Sequence, residues 1–141
     1  MSKAATHYEA LKIKEFNHWI LYLHECQSYL GRVYLLACRS SDRDLMDIHG
    51  EEREEFFHIG NTFKKGLASL FSPDKLNYAA LGNVFDALHV HVIPRYKTKR
   101  LFEGIEFVDA RWGKNYAPYD KEFVVEPRVL QKIKEAIRSQ I

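Results

Sequence analysis

The chain has 141 residues, 28% of them charged, and a formal net charge of +2 at pH 7. That length suits one domain with a single core, expected to span residues 1–141. The near balance of charge is unlike the basic excess of a bulk nucleic-acid binder, and no apolar run reaches the ~20 residues of a membrane helix. Met1 to Ala10 is polar and lacks the apolar stretch of a secretory signal. Cys26 and Cys38 form no C-x-x-C pair and indicate neither a zinc site nor a disulfide framework. A reduced, cytoplasmic protein with neither a nucleic-acid nor a membrane partner is expected.

In chain order, Phe16 to Leu23 is aromatic and β-branched enough to predict a strand. Gln27 to Gly31 carries a turn, with Gly31 the permissive residue. Val33 to Cys38 then returns as the antiparallel partner, completing a hairpin. The polar run Ser40 to Gly50 reads as a connection. From Glu51 to Phe71 the apolar residues Phe56, Ile59, Phe63, Leu67 and Leu70 recur every three or four positions. That is one stripe of a core-packing helix. Glu51, Glu52, Glu54 and Glu55 lie near its start and Lys64 and Lys65 later, an order that suits the helix dipole; Pro73 marks its end. His58 on this helix reads as an ordinary satisfied or exposed side chain.

Lys75 to Leu81 predicts a further strand, turned by Gly82-Asn83 into Ala87 to Arg95. That last stretch alternates strictly, as a half-buried strand does. Leu88, Val90 and Val92 share one face; Ala87, His89, His91 and Ile93 share the other. Two imidazoles thus stand about 6–7 Å apart on one face, a spacing that suits joint engagement of one phosphoryl group. Pro94, which cannot donate to a ladder, should end central pairing. The basic run Tyr96 to Arg100 is read as a solvated loop, the alternative being positive potential beside the histidines. Phe102 to Asp120 is irregular and aromatic, and its Trp112 to Asp120 part is expected to pack over either a site or the core. Pro127 opens a last helix whose Leu130, Ile133 and Ile137 share a face. That helix should pack on the domain or on a partner subunit.

Two histidines on a strand do not by themselves define a site. The surrounding string L-N-Y-A-A-L-G-N-V-F-D-A-L-H-V-H-V-I-P-R-Y, Leu76 to Tyr96, closely resembles the signature of the histidine triad (HIT) family of nucleotide hydrolases and transferases. Members carry His-x-His-x-His and apolar residues, often ending in Ile-Pro-Arg, with an Asn or Gln a few residues upstream. The pattern covers Phe16 to Arg95, and Trp112 to Asp120 is similar to a segment of bacterial members. The family's first histidine falls at position 87, where this chain has Ala.

The resemblance implies an α+β fold with a five-stranded antiparallel sheet and a homodimer. It implies His89 as nucleophile, attacking an α-phosphorus to form a nucleotidyl-histidine that water then hydrolyses, two easier steps in place of one. Histidine suits this, since an unperturbed pKa of ~6.5 leaves the neutral form dominant at pH 7. The ring's other nitrogen should donate to a fixed acceptor, such as a backbone carbonyl. His91 is implied as a hydrogen-bond donor to the phosphoryl oxygens. Asn83 matches the amide beside the phosphate, although after Gly82 it also reads as a turn residue. Asn77 matches a polar position near the α-phosphate or ribose, or is simply a polar residue on a wet strand face. His24 falls roughly where a ribose-contacting residue sits, although an exposed histidine in a connection is its plainer and preferred reading. No cofactor is implied.

Because Ala87 can donate nothing, a substrate with a good leaving group, such as diadenosine tetraphosphate, is expected over a phosphoramidate. Two other readings stand beside this hydrolase. One is a nucleotide-binding module whose incomplete triad turns substrate over negligibly. The other is a metal site on His89 and His91, which lacks a further ligand at a recognisable zinc spacing.

Overall fold

The computed structural model describes residues 3–39 and 44–141. The helix α1 (Lys3–Leu11) leads into β1 (Lys12–Glu15), β2 (Trp19–Leu23) and β3 (Val33–Ala37). The long helix α2 (Gly50–Phe71) follows, then β4 (Lys75–Ala79) and β5 (His89–Arg95). A small hairpin, β6 (Arg100–Phe102) and β7 (Ile105–Phe107), precedes the last helix, α3 (Pro127–Arg138). Strands β1 to β5 form one antiparallel sheet in the order β1-β2-β3-β5-β4.

The expected first hairpin is β2–β3, paired from Trp19↔Ala37 to Leu23↔Val33. Its first strand begins later than the aromatic run suggested. The backbone N–H of Phe16 donates to the carbonyl of Trp19, so Phe16 to His18 is a tight turn that folds β1 back onto β2. The first part of the polar connection, Ser40 to Arg43, lies outside the described residues. At the hairpin's other end Gly31 has φ +88°, left-handed backbone that favours glycine. A Cβ there would lie 2.9 Å from Leu67 Cδ1 of α2, so the close approach of turn and helix also requires the missing side chain.

Register decides the two faces of the sheet. Leu21 and Leu23 align with Leu35 and Val33, which align with Val90 and Val92. All are buried, and all but Val90 belong to one cluster with Ile59, Phe63 and Leu67 of α2 and Val129, Ile133 and Ile137 of α3. Leu70 and Phe56 of the predicted stripe, and Leu130 of the last helix, pack at the margin of this core. The opposite face carries Tyr22, Tyr34, His89 and His91 in neighbouring positions.

Central pairing ends before Pro94, as expected, although β5 itself runs on to Arg95. Pairing with β3 ends at Val92, but on the other side Pro94 aligns with Leu76 and Arg95 with Lys75 of the edge strand β4. An edge tolerates a residue without an N–H. The basic run Tyr96 to Arg100 follows from this end of β5. It leaves β5 six residues from His89, about 20 Å at strand rise, and Arg100 donates to the carbonyls of Phe71 and Ser72. The segment expected to be irregular, Phe102 to Asp120, contains β7 and the last residue of β6, each strand only three residues long.

Candidate active site

The polar face of the sheet is the floor of a pocket of about 430 Å³, within the roughly 300–1,000 Å³ of small-molecule sites. His89 and His91 rise from β5, Tyr34 and Leu36 from β3, and Tyr22 and His24 from β2 and its end. Phe85 closes one side from the loop before β5, its ring 5.4 Å from that of His89. His7, Tyr8 and Leu11 of α1 complete the wall, and His7 Nε2 lies 2.7 Å from the Glu25 carboxylate across the rim. Most of the lining is apolar, with imidazoles as the convergent polar groups.

The two β5 imidazoles are held differently. His89 Nδ1 stands 2.8 Å from the Ala87 carbonyl. A carbonyl only accepts, so Nδ1 carries a proton, and in the neutral ring the lone pair is on Nε2. The ring centroid of His91 is 5.1 Å from that of His89, 5.8 Å from Tyr34 and 5.7 Å from His24. Burial, reinforced by the Arg32 guanidinium and then by His89, lowers the His91 pKa to about 4. Burial, followed by Arg32 and His91, lowers that of His24 to about 3. Both rings are therefore neutral at pH 7. Burial raises the Tyr34 pKa, so its hydroxyl keeps its proton there too.

His24 is not the exposed connection histidine of the plainer reading. It is half-buried against His91, with Nδ1 3.1 Å from the backbone N–H of Cys26. The two asparagines are not brought to the histidines. Asn83 is exposed in the loop between β4 and β5 and contributes nothing to the lining. Asn77 shares the histidine face of the sheet, but its Oδ1 accepts from Arg95 Nη1 at 2.9 Å. That guanidinium also pairs with Asp109 and donates to the carbonyls of Arg111 and Lys114. Ile93 and Arg95 are consequently buried although they share the face of His89. The 109–119 segment packs over this end of the sheet and then over Arg32, whose guanidinium carbon lies 4.5 Å from the Tyr119 ring centroid.

Tyr34, Tyr22, Phe85 and the α1 residues went unread in the sequence. Alternation within Val33 to Cys38 does put Tyr34 and Leu36 on one face. Only the pairing of Tyr34 with His91 and of Leu36 with His89 says which face that is. Among the described residues no group of three or more His, Cys, Asp or Glu side chains is placed to hold a metal ion. No helix among them is long and apolar enough to cross a membrane.

A family model described as HIT domain matches residues 3–98. A histidine triad protein from Bradyrhizobium japonicum superposes with a TM-score of 0.79 at 20% identity, over 100% of this chain and 96% of that one. A second, from Sinorhizobium meliloti, gives 0.78 at 17% identity, over 100% and 96%. A diadenosine triphosphate hydrolase from Plasmodium falciparum, solved with cyclomarin A, gives 0.62 at 13%, over 93% and 76%. These likenesses are of fold. No curated protein matches by sequence.

Proposed function

The chain belongs to the HIT domain family, and from that premise we propose that it hydrolyses a dinucleoside polyphosphate through a nucleotidyl-His89 intermediate. The observation that carries this reading is the 2.8 Å contact from His89 Nδ1 to the Ala87 carbonyl, on a ring that lines the pocket. It leaves Nε2 as an unprotonated nucleophile. The Nε2 lone pair forms a bond to the α-phosphorus, and the P–O bond to the departing polyphosphate breaks with its electron pair. Positive charge gained by the ring is stabilised through Nδ1–H on the Ala87 carbonyl. Water then attacks phosphorus, the P–N bond breaks back to Nε2, and the water's proton passes to solvent. His91 donates to the phosphoryl oxygens, and His24, held in the same pocket, contacts the sugar. The aromatic and aliphatic lining from Tyr22, Tyr34, Leu36 and Phe85 receives the base.

On this reading Ala87 occupies the position of the family's first histidine. A methyl cannot protonate a leaving group, which disfavours an amine and matters little for a polyphosphate. The outcome expected is an acid-labile nucleotidyl adduct, trapped by a basic quench after incubation with labelled diadenosine tetraphosphate and absent in His89→Ala. Turnover should exceed that of a nucleoside phosphoramidate, and Ala87→His should narrow the gap. Nucleotide binding with no adduct would instead establish the second reading, a binding module with an incomplete triad, which Ala87 itself favours.

The proposal includes a single domain over residues 1–141, a cytoplasmic setting and a homodimer. Cys26 and Cys38 are both free, in keeping with a reducing compartment, and imaging of the tagged protein checks the location. The edge strand β4 and the loop after it expose Tyr78, Leu81, Val84 and Phe85, an apolar edge suited to a second copy.

A further inference from the structure

Arg32 follows the Gly31 turn, just before β3, and is only 2% exposed. A guanidinium keeps its proton in proteins and can donate but never accept a hydrogen bond. Buried, it requires partners. Its Nη2 lies 3.5 Å from Nδ1 of His91. The rings of Tyr119 and Tyr116 lie 4.5 and 5.4 Å from its central carbon. Nε and Nη1 find no hydrogen-bond partner among the described residues. Arg32 does not line the pocket but stands behind one of the residues that does.

We propose that Arg32 is a positioning residue that sets the tautomer of His91. Its Nη2–H donates to Nδ1, which places the ring's single proton on Nε2 and makes His91 a neutral donor toward a phosphoryl oxygen. This rests on the reading of His91 given under the proposed function. The logic is the reverse of that at His89. There Nδ1 faces a carbonyl, which only accepts, so the proton lies on Nδ1 and Nε2 is a lone pair. At His91 Nδ1 faces a group that only donates, so Nδ1 must be the lone pair. Two imidazoles of one strand thus take opposite tautomers, one as nucleophile and the other as donor.

The other groups facing His91 do not oppose this. His24 reaches it from the end of β2, Tyr34 from β3 and His89 from its own strand, while Ala79 is its cross-strand neighbour on β4. None is a carboxylate. The Arg32 charge therefore acts on His91 uncompensated, adding to burial in lowering its pKa. A donor that stays uncharged keeps its Nε2–H without needing an external proton.

The test is ¹⁵N NMR of the full chain with labelled histidine, His91 being assigned by its absence in His91→Gln. His91 should show the Nε2–H tautomer between pH 5 and 8. In Arg32→Met, which removes the charge and the donor, His91 should become a mixture of tautomers. Its pKa should rise from about 4 toward the ordinary 6.5. Arg32→Lys should restore part of the low pKa. An Nδ1–H or charged His91 at pH 6 in the unsubstituted protein overturns the proposal, as does an unchanged tautomer in folded Arg32→Met. Should Arg32→Met not fold, the spectrum of the unsubstituted chain decides. No substrate enters this measurement, so an inactive protein would leave the tautomer assignment standing. Conversely, an adduct on His89 beside a wrongly protonated His91 would sink the assignment and spare the hydrolase.

Discussion

Histidine appears at positions 7, 24, 89 and 91 of one pocket, and the two on β5 differ in the atom that faces the ring. In the proposed mechanism the carbonyl at Nδ1 suits His89 to be the nucleophile, and the guanidinium at the same atom suits His91 to be a donor. His24 and His91 are held neutral in the folded chain, with pKa values of about 3 and 4, and return to ~6.5 once unfolded. Between those values the unfolded chain binds more protons than the folded one. Stability therefore falls as pH drops from about 6.5 to 4. Each group can contribute at most ~1.4 kcal/mol per pH unit, and His91, partly open to solvent, contributes less through screening. Urea unfolding at pH 7 and pH 5 should show the loss, and the double variant His24→Asn/His91→Asn should flatten it. An equally steep profile in that variant would assign the effect elsewhere.

At the scale of elements, β5 serves two ends of the molecule. Its first half carries the histidines, and its last residue anchors the chain that follows β7. Arg95 is 3% exposed and reaches the Asp109 carboxylate at 2.8 and 3.2 Å, Asn77, and two carbonyls. Removing one member of a buried, fully bonded pair strands the other charge. Asp109→Ala should thus cost about 3–5 kcal/mol in a denaturant titration. Arg95→Met/Asp109→Leu, which removes both charges, should cost less than the sum of its two single changes. The elements legible from residue order were those with a long period or a turn residue: α2, the β2–β3 hairpin, the histidine strand and α3. Those missed are the nine-residue helix α1 and three short strands. In β1 only Ile13 of Lys-Ile-Lys-Glu is buried, and β6 and β7 span three residues each. A segment that short has no repeating pattern to read, and it becomes a strand because a neighbour completes its hydrogen bonds. Asn77 and Asn83 show the same limit within the site. Both had the right residue type near the right sequence, yet Arg95 claims one and the other stays in solvent.

Across the whole molecule, the sheet divides a core face from a pocket face, and α1 and the 109–119 segment close opposite ends of the latter. One edge, β1, packs with α3, where Arg138 donates to the carbonyls of Ile13 and Lys12. The other edge, β4, is bordered by Tyr78, Leu81, Val84 and Phe85, each more than half exposed. The proposed homodimer would use that edge. Sedimentation equilibrium should give twice the 16.6 kDa chain mass, and Tyr78→Lys/Val84→Glu should shift the protein to monomer. A monomer before substitution would remove the dimer from the proposal and leave the hydrolase untouched.

Residue order by itself determined the alternation that puts His89 and His91 on one side of a strand, the helical stripe beneath the sheet, and the family signature between Leu76 and Tyr96. These are local, because side-chain direction repeats every two residues in a strand and every three or four in a helix. Only the tertiary structure decided that Tyr34 stands beside His91, that His24 lies inside the pocket, and that a carbonyl and a guanidinium face the two Nδ1 atoms. Those facts depend on cross-strand register and on chain segments tens of residues apart, and no period along the backbone encodes them.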